Sequence, residues 1–285
     1  MRRPWKPTLT LKLTLATHLA AGFSLFVWPT AWPWALAAIV INHAIVTAAG
    51  LLPRCDWLGP TLTRLPEAAR QRGEIALTID DGPDPDVTPQ VLDMLDAAGV
   101  KASFFCIGRR ARQHPALCRE IVARGHRIEN HGDAHSWRFS LFGYGRMKAD
   151  VAAAQATLGE LAGQPPRFFR PTAGLRNPFL DPVLAHLDLQ LAAWTRRGYD
   201  TREADPAIVL ARLTDHLAAG DILLLHDGNS ARNAAGQPVI LGVLPELLRI
   251  ISAARLTPVT LTAALTLPPL SCKPFSTMPA APSAT

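Results

Sequence analysis

The hydrophobic and polar positions divide the chain into an uncharged N-terminal part and an alternating C-terminal part. Between Leu13 and Pro53 there is no Asp, Glu, Lys or Arg. One membrane-spanning helix needs about 20 apolar residues, so this stretch is long enough for two. Two prolines and three tryptophans lie in its middle; proline interrupts helices, and tryptophan favours the lipid–water interface. The pattern predicts a transmembrane helical hairpin with spans near 9–28 and 34–52.

A cleaved signal peptide is the alternative, with Arg2, Arg3 and Lys6 as its charged beginning, but the apolar stretch is longer than a signal peptide needs. Basic residues precede the first span and follow the second, whereas the connecting turn is uncharged. The positive-inside rule therefore places both ends of the hairpin, and with them the following domain, on the cytoplasmic face. The expected location is a bacterial-type inner membrane.

Short apolar runs and longer amphipathic runs alternate from Glu74 onward, which predicts a parallel sheet. Gly99 and Gly125 follow predicted helices, where a glycine C-cap is typical. Asp205-Pro206 has the pattern of an N-cap before a helix. The fold class is α/β: a distorted (β/α) TIM-like barrel with about seven parallel strands, incompletely closed. The predicted strands are 74–79, 101–107, 126–130, 167–170, 189–195, 221–226 and 256–260. The predicted helices are 86–98, 109–124, 146–163, 178–187, 205–219 and 239–254.

Four parts of the chain follow from these patterns. Residues 1–53 form the membrane hairpin, and 54–73 form a polar connector. Residues 74–265 form the α/β domain, and 266–285, rich in Pro, Ala, Ser and Thr, are predicted to form a disordered tail.

Charge and cysteine content exclude some functions. The 285 residues carry a formal net charge of +6, but the basic residues are scattered and form no lysine run, which argues against nucleic-acid binding. Anionic lipid is the better explanation for the charge. The four cysteines show no CxxC spacing, so neither a disulfide framework nor a structural zinc cluster is indicated.

Polar motifs follow several predicted strands, at the edge where parallel α/β barrels hold their active sites. Asp80 and Asp81 end the first strand of the domain. Adjacent side chains of a strand diverge, but Gly82-Pro83 turns the chain so that both carboxylates can approach one site. One can bind a metal while the other accepts a proton; a solvated turn is the alternative.

His131 and His135 lie four residues apart, which on a helical turn places both on one face. Two imidazoles and the carboxylate of Asp81 make a three-ligand zinc site with an open position. A structural or surface histidine pair is the alternative, although a nearby Asp81 favours the metal site.

Arg170 and His226 also end predicted strands. Arg170 can hold a catalytic carboxylate by paired hydrogen bonds, or be an ordinary surface arginine. His226 ends the most apolar strand and can protonate a leaving amine, or be a core histidine with satisfied hydrogen bonds.

Over about residues 74–262 the motifs resemble those of the polysaccharide deacetylase family, also called the NodB homology domain or carbohydrate esterase family four. The segments that carry the resemblance are Thr78-Ile79-Asp80-Asp81-Gly82-Pro83, His131-Gly132-Asp133-Ala134-His135, Arg170-Pro171-Thr172-Ala173-Gly174 and Leu223-Leu224-Leu225-His226-Asp227.

The resemblance implies a metal-dependent hydrolase. Asp80 would be the general base, and Asp81, His131 and His135 would bind the divalent metal. Zinc is the metal expected from the family, although cobalt or another divalent ion also suits this ligand set.

The resemblance implies further roles around these residues. Arg170 would orient Asp80, and His226 would be the general acid. The backbone N–H of Ala173 would help hold the oxyanion, and Leu224 would line the pocket for the acyl methyl. Trp194 would line the substrate pocket. Asp200, which follows Trp194 in the sequence, would tune His226.

Several positions depart from the family pattern. Gly132 replaces the usual Ser or Thr, which predicts that a loop-fixing hydrogen bond is missing. Thr172 and Ala173 replace Pro and Tyr, and Thr201 replaces Trp. Two aromatic groove residues are lost, so the chemistry is retained while sugar recognition is altered.

The predicted function is removal of an N-acetyl group from an amino sugar of a polysaccharide or cell-envelope glycan. A second hypothesis is the deacetylation or deformylation of a polyprenyl-phosphate-linked amino sugar, and ester deacetylation is a third. A catalytically silent glycan-binding module is the alternative from another class. The sequence leaves the oligomeric state open.

Overall fold

Two long apolar helices begin the protein, for which a computed structural model describes residues 4–266. Helix α1 (Leu9–Val27) and helix α2 (Trp32–Leu51) are joined by a short 3-10 turn, Pro29–Ala31. Both are long and apolar enough to cross a membrane, and most of their residues are exposed. Core helices of a soluble domain would be buried instead, so the exposed apolar surface suits a lipid environment.

Polar side chains inside the hairpin join its two helices. His18 Nε2 lies 3.3 Å from His43 Nε2, and Asn42 donates a hydrogen bond of 3.2 Å to Thr14. Polar residues in membrane helices satisfy one another across helix interfaces. These contacts make a paired hairpin of the two apolar helices.

A single parallel sheet and its helices form the rest of the described chain. In chain order the elements are β1 (Thr61–Leu62), α3 (Glu67–Gln71), β2 (Glu74–Asp80), α4 (Thr88–Ala97), β3 (Ser103–Cys106), α5 (Gly108–Gln113), α6 (Pro115–Ala123), β4 (Arg127–Asn130), α7 (Tyr144–Ala162), β5 (Phe168–Phe169), α8 (Leu180–His186), β6 (Gln190–Ala192), β7 (Arg196–Arg197), α9 (Pro206–Thr214), β8 (Ile222–His226), α10 (Val239–Ala253), β9 (Thr257–Val259) and α11 (Leu261–Thr266).

The seven predicted strands are present, and the sheet gains two-residue strands at each edge. Its order is β1-β6-β5-β4-β3-β2-β8-β7, with β9 beside the first half of β2. The helix predicted over 109–124 is divided into α5 and α6, because Pro115 lacks the N–H that a continuous helix requires. The helix predicted over 205–219 ends at Thr214.

The sheet curls into a distorted barrel, which confirms the predicted fold class. The chain passes from β6, which lies beside the edge strand β1, to β7 at the opposite edge: Ala193 N–H donates to the Leu62 carbonyl, and Thr195 N–H donates to the Ile222 carbonyl. Residues 54–73 contribute β1 and α3, with β1 pairing in parallel with β6. The tail predicted over 266–285 lies, apart from Thr266, outside the described residues.

The two faces of the barrel strands have different surroundings. On β2, Ile75, Leu77 and Ile79 pack in the large core between the sheet and the helices. Ala76 belongs to the smaller core inside the barrel. Because side chains alternate along a strand, Asp80 shares the inner face with Ala76. The barrel interior therefore receives the first of the predicted catalytic carboxylates.

Candidate active site and metal centre

The turn after β2 brings two neighbouring carboxylates to one place. Asp80 is the last residue of β2, and Asp81 has a left-handed backbone with a φ of 74°. This conformation costs a non-glycine residue about 1–2 kcal/mol, but it rotates Asp81 out of strand alternation. Gly82 is required next, because a Cβ there would lie 2.5 Å from a carboxylate oxygen of Asp227. Both Asp80 and Asp81 consequently line one cavity.

The two candidate histidine ligands lie in the loop after β4. The predicted helical turn is wrong: the segment is a loop in which Gly132 has a φ of 77° and His135 a φ of 49°. Left-handed backbone reverses the chain direction, and the imidazoles approach each other with ring centroids 4.9 Å apart. The two histidines are therefore brought together by the curvature of the loop and not by the geometry of a helical turn.

Three ligand atoms converge at the end of this loop. Asp81 Oδ1 lies 3.1 Å from His131 Nε2 and 2.9 Å from His135 Nε2. His131 Nδ1 contacts the backbone carbonyl of Arg170 at 2.6 Å, and only a protonated Nδ1 can donate there. In the neutral imidazole the lone pair of His131 then lies on Nε2, the atom directed at Asp81.

The donor set fits a divalent metal. Asp81 Oδ1 is buried, and no hydrogen bond of acceptable geometry reaches it. Burial acts to raise the pKa of Asp81, but the two imidazoles outweigh it and hold the pKa well below its usual range. A carboxylate oxygen and two imidazole nitrogens that converge in this way are the ligand types of catalytic zinc sites.

Two residues that sequence reasoning missed support Asp81. Asn229 donates a hydrogen bond of 3.0 Å to Asp81 Oδ2, which leaves Oδ1 for the metal position. Arg110 donates to the backbone carbonyl of Asp81 and to the side-chain oxygen of Asn229. Hydrogen bonds of this kind orient metal ligands. Asn229 lies two residues beyond the fourth motif, and no sequence pattern marks it as a support of the site.

The loop between the histidines keeps its fixing hydrogen bonds despite Gly132. Asn130 accepts from the Gly132 N–H at 2.8 Å. Asp150 on α7 accepts from the N–H groups of Asp133 and Ala134, both at 3.1 Å. A Cβ at position 132 would lie 2.9 Å from Asp150 Oδ2. The hydrogen bonds of Asn130 and Asp150 therefore fix the loop, although Gly132 lacks the hydroxyl of the Ser or Thr usual in the family.

Arg170 holds Asp80 inside the barrel. Its Nη1 donates to Asp80 Oδ1 at 2.6 Å and to the Thr78 hydroxyl at 2.9 Å. The other guanidinium nitrogens donate to the carbonyls of Ala192 and Ala193. The sequence predicts two hydrogen bonds between Arg170 and the catalytic carboxylate. The structure has one hydrogen bond to Asp80, and the other donors of Arg170 bind Thr78 and backbone carbonyls. Asp80 Oδ2, which faces His131 Nε2 at 3.8 Å, stays available to accept a proton.

His226 and Asp200 form a buried pair. Asp200 Oδ1 lies 2.8 Å from His226 Nδ1, and its Oδ2 accepts the backbone N–H of His226. Burial acts to lower the pKa of His226, but the Asp200 carboxylate outweighs it and raises that pKa to about 9. His226 is therefore protonated at neutral pH, with Nε2 left for a substrate.

A cavity of about 740 Å³ unites these groups at the C-terminal ends of the strands. Arg170 and Asp200 lie behind its wall, whereas the other predicted site residues line it. Ala173 has a φ of 56° in the turn Thr172–Gly174, and its role as an oxyanion N–H stays a prediction. The lining residues predicted from the sequence are Asp80, Asp81, His131, His135, Ala173, Trp194, Leu224 and His226.

A parallel-strand barrel with a two-histidine, one-aspartate site at its strand ends is the architecture of a metallohydrolase class. The polysaccharide deacetylase family model matches residues 67–192. A peptidoglycan-N-acetylglucosamine deacetylase of Bacillus cereus is 31% identical over 175 residues, covering 61% of this chain and 81% of that protein. The chain belongs to the polysaccharide deacetylase family.

Two further relatives show the range of the fold. A chitooligosaccharide deacetylase of Sinorhizobium fredii is 33% identical over 177 residues, covering 59% of this chain and 78% of that protein. A carbohydrate esterase family four pseudoenzyme from Bacillus anthracis has the same fold, with a TM-score of 0.64 at 18% identity, covering 72% of this chain and 69% of that one. Since the fold occurs with and without activity, catalysis has to be argued from the site.

Proposed function

We propose that the protein is a metal-dependent hydrolase that removes an N-acetyl group from an amino sugar of a cell-envelope glycan. The observation that carries the proposal is the convergence of the buried Asp81 Oδ1 with two imidazole nitrogens, with Asp80 and His226 lining the same cavity. A silent binding module has no need of a complete ligand set together with a held base and a charged acid. The names of the two deacetylase relatives suggest the substrate class.

Asp81, His131 and His135 would hold the metal, which supplies Lewis acidity toward the amide carbonyl and the attacking water. Asp80 accepts the proton of that water through Oδ2, while Arg170 fixes its other oxygen. The Ala173 N–H donates to the developing oxyanion. His226 gives its Nε2 proton to the departing nitrogen, and Asp200 stabilises the imidazolium before that transfer. The products are acetate and a free amino sugar.

The hairpin formed by α1 and α2 is proposed to anchor the enzyme in a bacterial inner membrane. Its exposed apolar surface and paired polar side chains support a retained anchor over a cleaved signal peptide. The basic residues on both sides of the hairpin support a cytoplasmic catalytic domain.

The test is acetate release by the full-length protein in detergent. Substrates are N-acetylated chitooligosaccharide and peptidoglycan fragments, with the protein stripped by a chelator and then reconstituted with Zn²⁺ or Co²⁺. Release should appear with metal and disappear on chelation. The control is Asp80→Asn, which keeps all three proposed ligands and should bind metal normally while losing about 100- to 10,000-fold in rate. Full activity after chelation, or in Asp80→Asn, would refute the mechanism.

A further inference from the structure

An arginine in the cavity wall has no use in the mechanism above. Arg197 on β7 lines the cavity, and its Nε is buried without a hydrogen-bond partner. Its guanidinium lies 5.2 Å from the Trp194 ring centroid and 5.0 Å from that of Tyr199. Within residues 4–266, no carboxylate pairs with it. A half-buried guanidinium that lines the cavity near two aromatic rings and has no carboxylate partner is available to an anionic ligand.

The charge around Arg197 has the same sign. Arg109 and Arg202 also line the cavity, and across the described chain neither side chain has a hydrogen bond or ion pair. The carboxylates that line the cavity, Asp80 and Asp81, are already engaged by Arg170, the two histidines and Asn229. A concave site with excess positive charge concentrates anionic ligands.

The wall that carries Arg197 also contacts the end of the membrane hairpin. Gly174 lines the cavity and has a φ of 76°. A Cβ there would lie 2.7 Å from the Trp194 ring and 2.8 Å from Pro53, two residues beyond α2. The Arg176 N–H donates to the carbonyl of Gly50 within α2. Trp194, Gly174 and Pro53 therefore connect the Arg197 side of the cavity wall to the end of α2.

We propose that the site takes an amino sugar bearing a phosphate and presented from the bilayer, with Arg197 binding the phosphate while the N-acyl group reaches the metal position. This proposal rests on the deacylase function and names its substrate class. The planar guanidinium can give two parallel N–H bonds to phosphate oxygens. A sugar linked through phosphate to a lipid carries its anion at the membrane surface, and the end of the proposed membrane hairpin contacts Gly174 of the cavity wall.

The first experiment separates binding from turnover. The full-length Asp80→Asn protein is titrated with N-acetylglucosamine and with N-acetylglucosamine 1-phosphate. The phosphate is expected to tighten binding by about 10- to 100-fold, as a charge-assisted contact would. Arg197→Gln in the same background should abolish that preference, and Arg197→Lys should restore part of it. Arg119→Gln, an exposed arginine of α6 outside the cavity, is the matched control and should change nothing. Equal affinity for the two sugars would overturn the proposal.

The second experiment tests presentation from the bilayer. Acetate release by the zinc-loaded protein in lipid nanodiscs is measured with polyprenyl-phosphate-linked N-acetylglucosamine, N-acetylglucosamine 1-phosphate, N-acetylated chitooligosaccharide and N-acetylmuramic acid fragments. The lipid-linked substrate should give the highest kcat/KM, followed by the sugar phosphate. Equal values for those two would overturn delivery from the membrane.

Other outcomes separate this inference from the proposed function. If the protein prefers N-acetylmuramic acid fragments to the phosphate-bearing sugars, and Arg197→Gln removes that preference, then Arg197 binds a carboxylate. This result would overturn the assignment of phosphate as its ligand. Equal or better release from the neutral chitooligosaccharide would overturn the inference and leave the deacetylase intact. No release from any substrate by zinc-loaded protein would overturn the deacylase function itself. Unchanged melting temperature and zinc content in Arg197→Gln exclude misfolding as the cause of a loss.

Discussion

The cavity has a floor, formed by the side chains around the metal position and His226, and a rim that includes Trp137 and Arg197. The charged groups of these two regions differ in whether they already have partners within the protein. On the floor, His226 is paired with Asp200, and Arg170 behind the wall donates hydrogen bonds to Asp80 and to the backbone carbonyls of Ala192 and Ala193. On the rim, Arg197 has a buried donor without a partner, and Trp137 is 74% exposed. Side chains that are fixed by hydrogen bonds before the substrate binds determine the reaction. Side chains without a partner in the protein determine which substrate binds. Three of the positions that depart from the family pattern, Thr172, Ala173 and Thr201, also line the cavity.

Of the three substitutions that compare the floor with the rim, Asp200→Asn beneath His226 should have the largest effect. In Asp200→Asn the carboxylate that raises the pKa of His226 is lost, while burial still lowers that pKa. A general acid must be protonated to act, so activity falls as the pH rises through its pKa. We expect kcat to drop about 100-fold at pH 8 and the alkaline limb of the pH–rate profile to shift to lower pH.

The comparison for that variant is its acidic limb and its zinc content, neither of which involves Asp200 directly. Both should match the wild type. A lower rate with an unchanged alkaline limb would mean that Asp200 only holds the fold, and that His226 is not the acid.

Asn229→Ala probes the support beneath the metal position. Its amide fixes Asp81 Oδ2, so the ligand oxygen becomes less well oriented when the amide is removed. The affinity for Zn²⁺ should fall by about tenfold, with full activity recovered at saturating metal. Competition with a chromophoric chelator measures the affinity. An unchanged affinity would show that Asp81 needs no support from this side.

Trp137→Ala tests the rim and should have the smallest effect. The indole lines the cavity beside His135, with ring centroids 6.4 Å apart, and is free to pack on a sugar. Truncation should raise KM by about three- to tenfold and leave kcat unchanged, since the lost contact is the same in ground and transition states. A fall in kcat with constant KM would instead mean that Trp137 acts in the reaction step, as the floor residues do.

The periodic elements and the strand-end motifs were predictable from the sequence. Alternating runs with glycine after the helices define the seven strands, and each motif follows a strand because the chemistry lies at one edge of the sheet. Strands β1 and β7 were missed because two residues carry no periodicity. The histidine loop was assigned to a helical turn because the left-handed backbone at His135 is not encoded by spacing.

The supporting residues of the site were not predictable in the same way. Asn229 reaches Asp81 across 148 positions of sequence, and Asp150 reaches the histidine loop from the facing helix α7. Asparagine and aspartate are common on surfaces and carry no motif of their own. Only the three-dimensional fold identifies which of them orient a ligand.

The most direct test of the account is anomalous diffraction at the zinc edge from crystals of the zinc-reconstituted protein. The account predicts one strong peak bonded to Asp81, His131 and His135 at about 2.0–2.2 Å, with an open position facing Asp80 and His226. A peak held by other residues, or no peak at this site in protein that releases acetate, would contradict it.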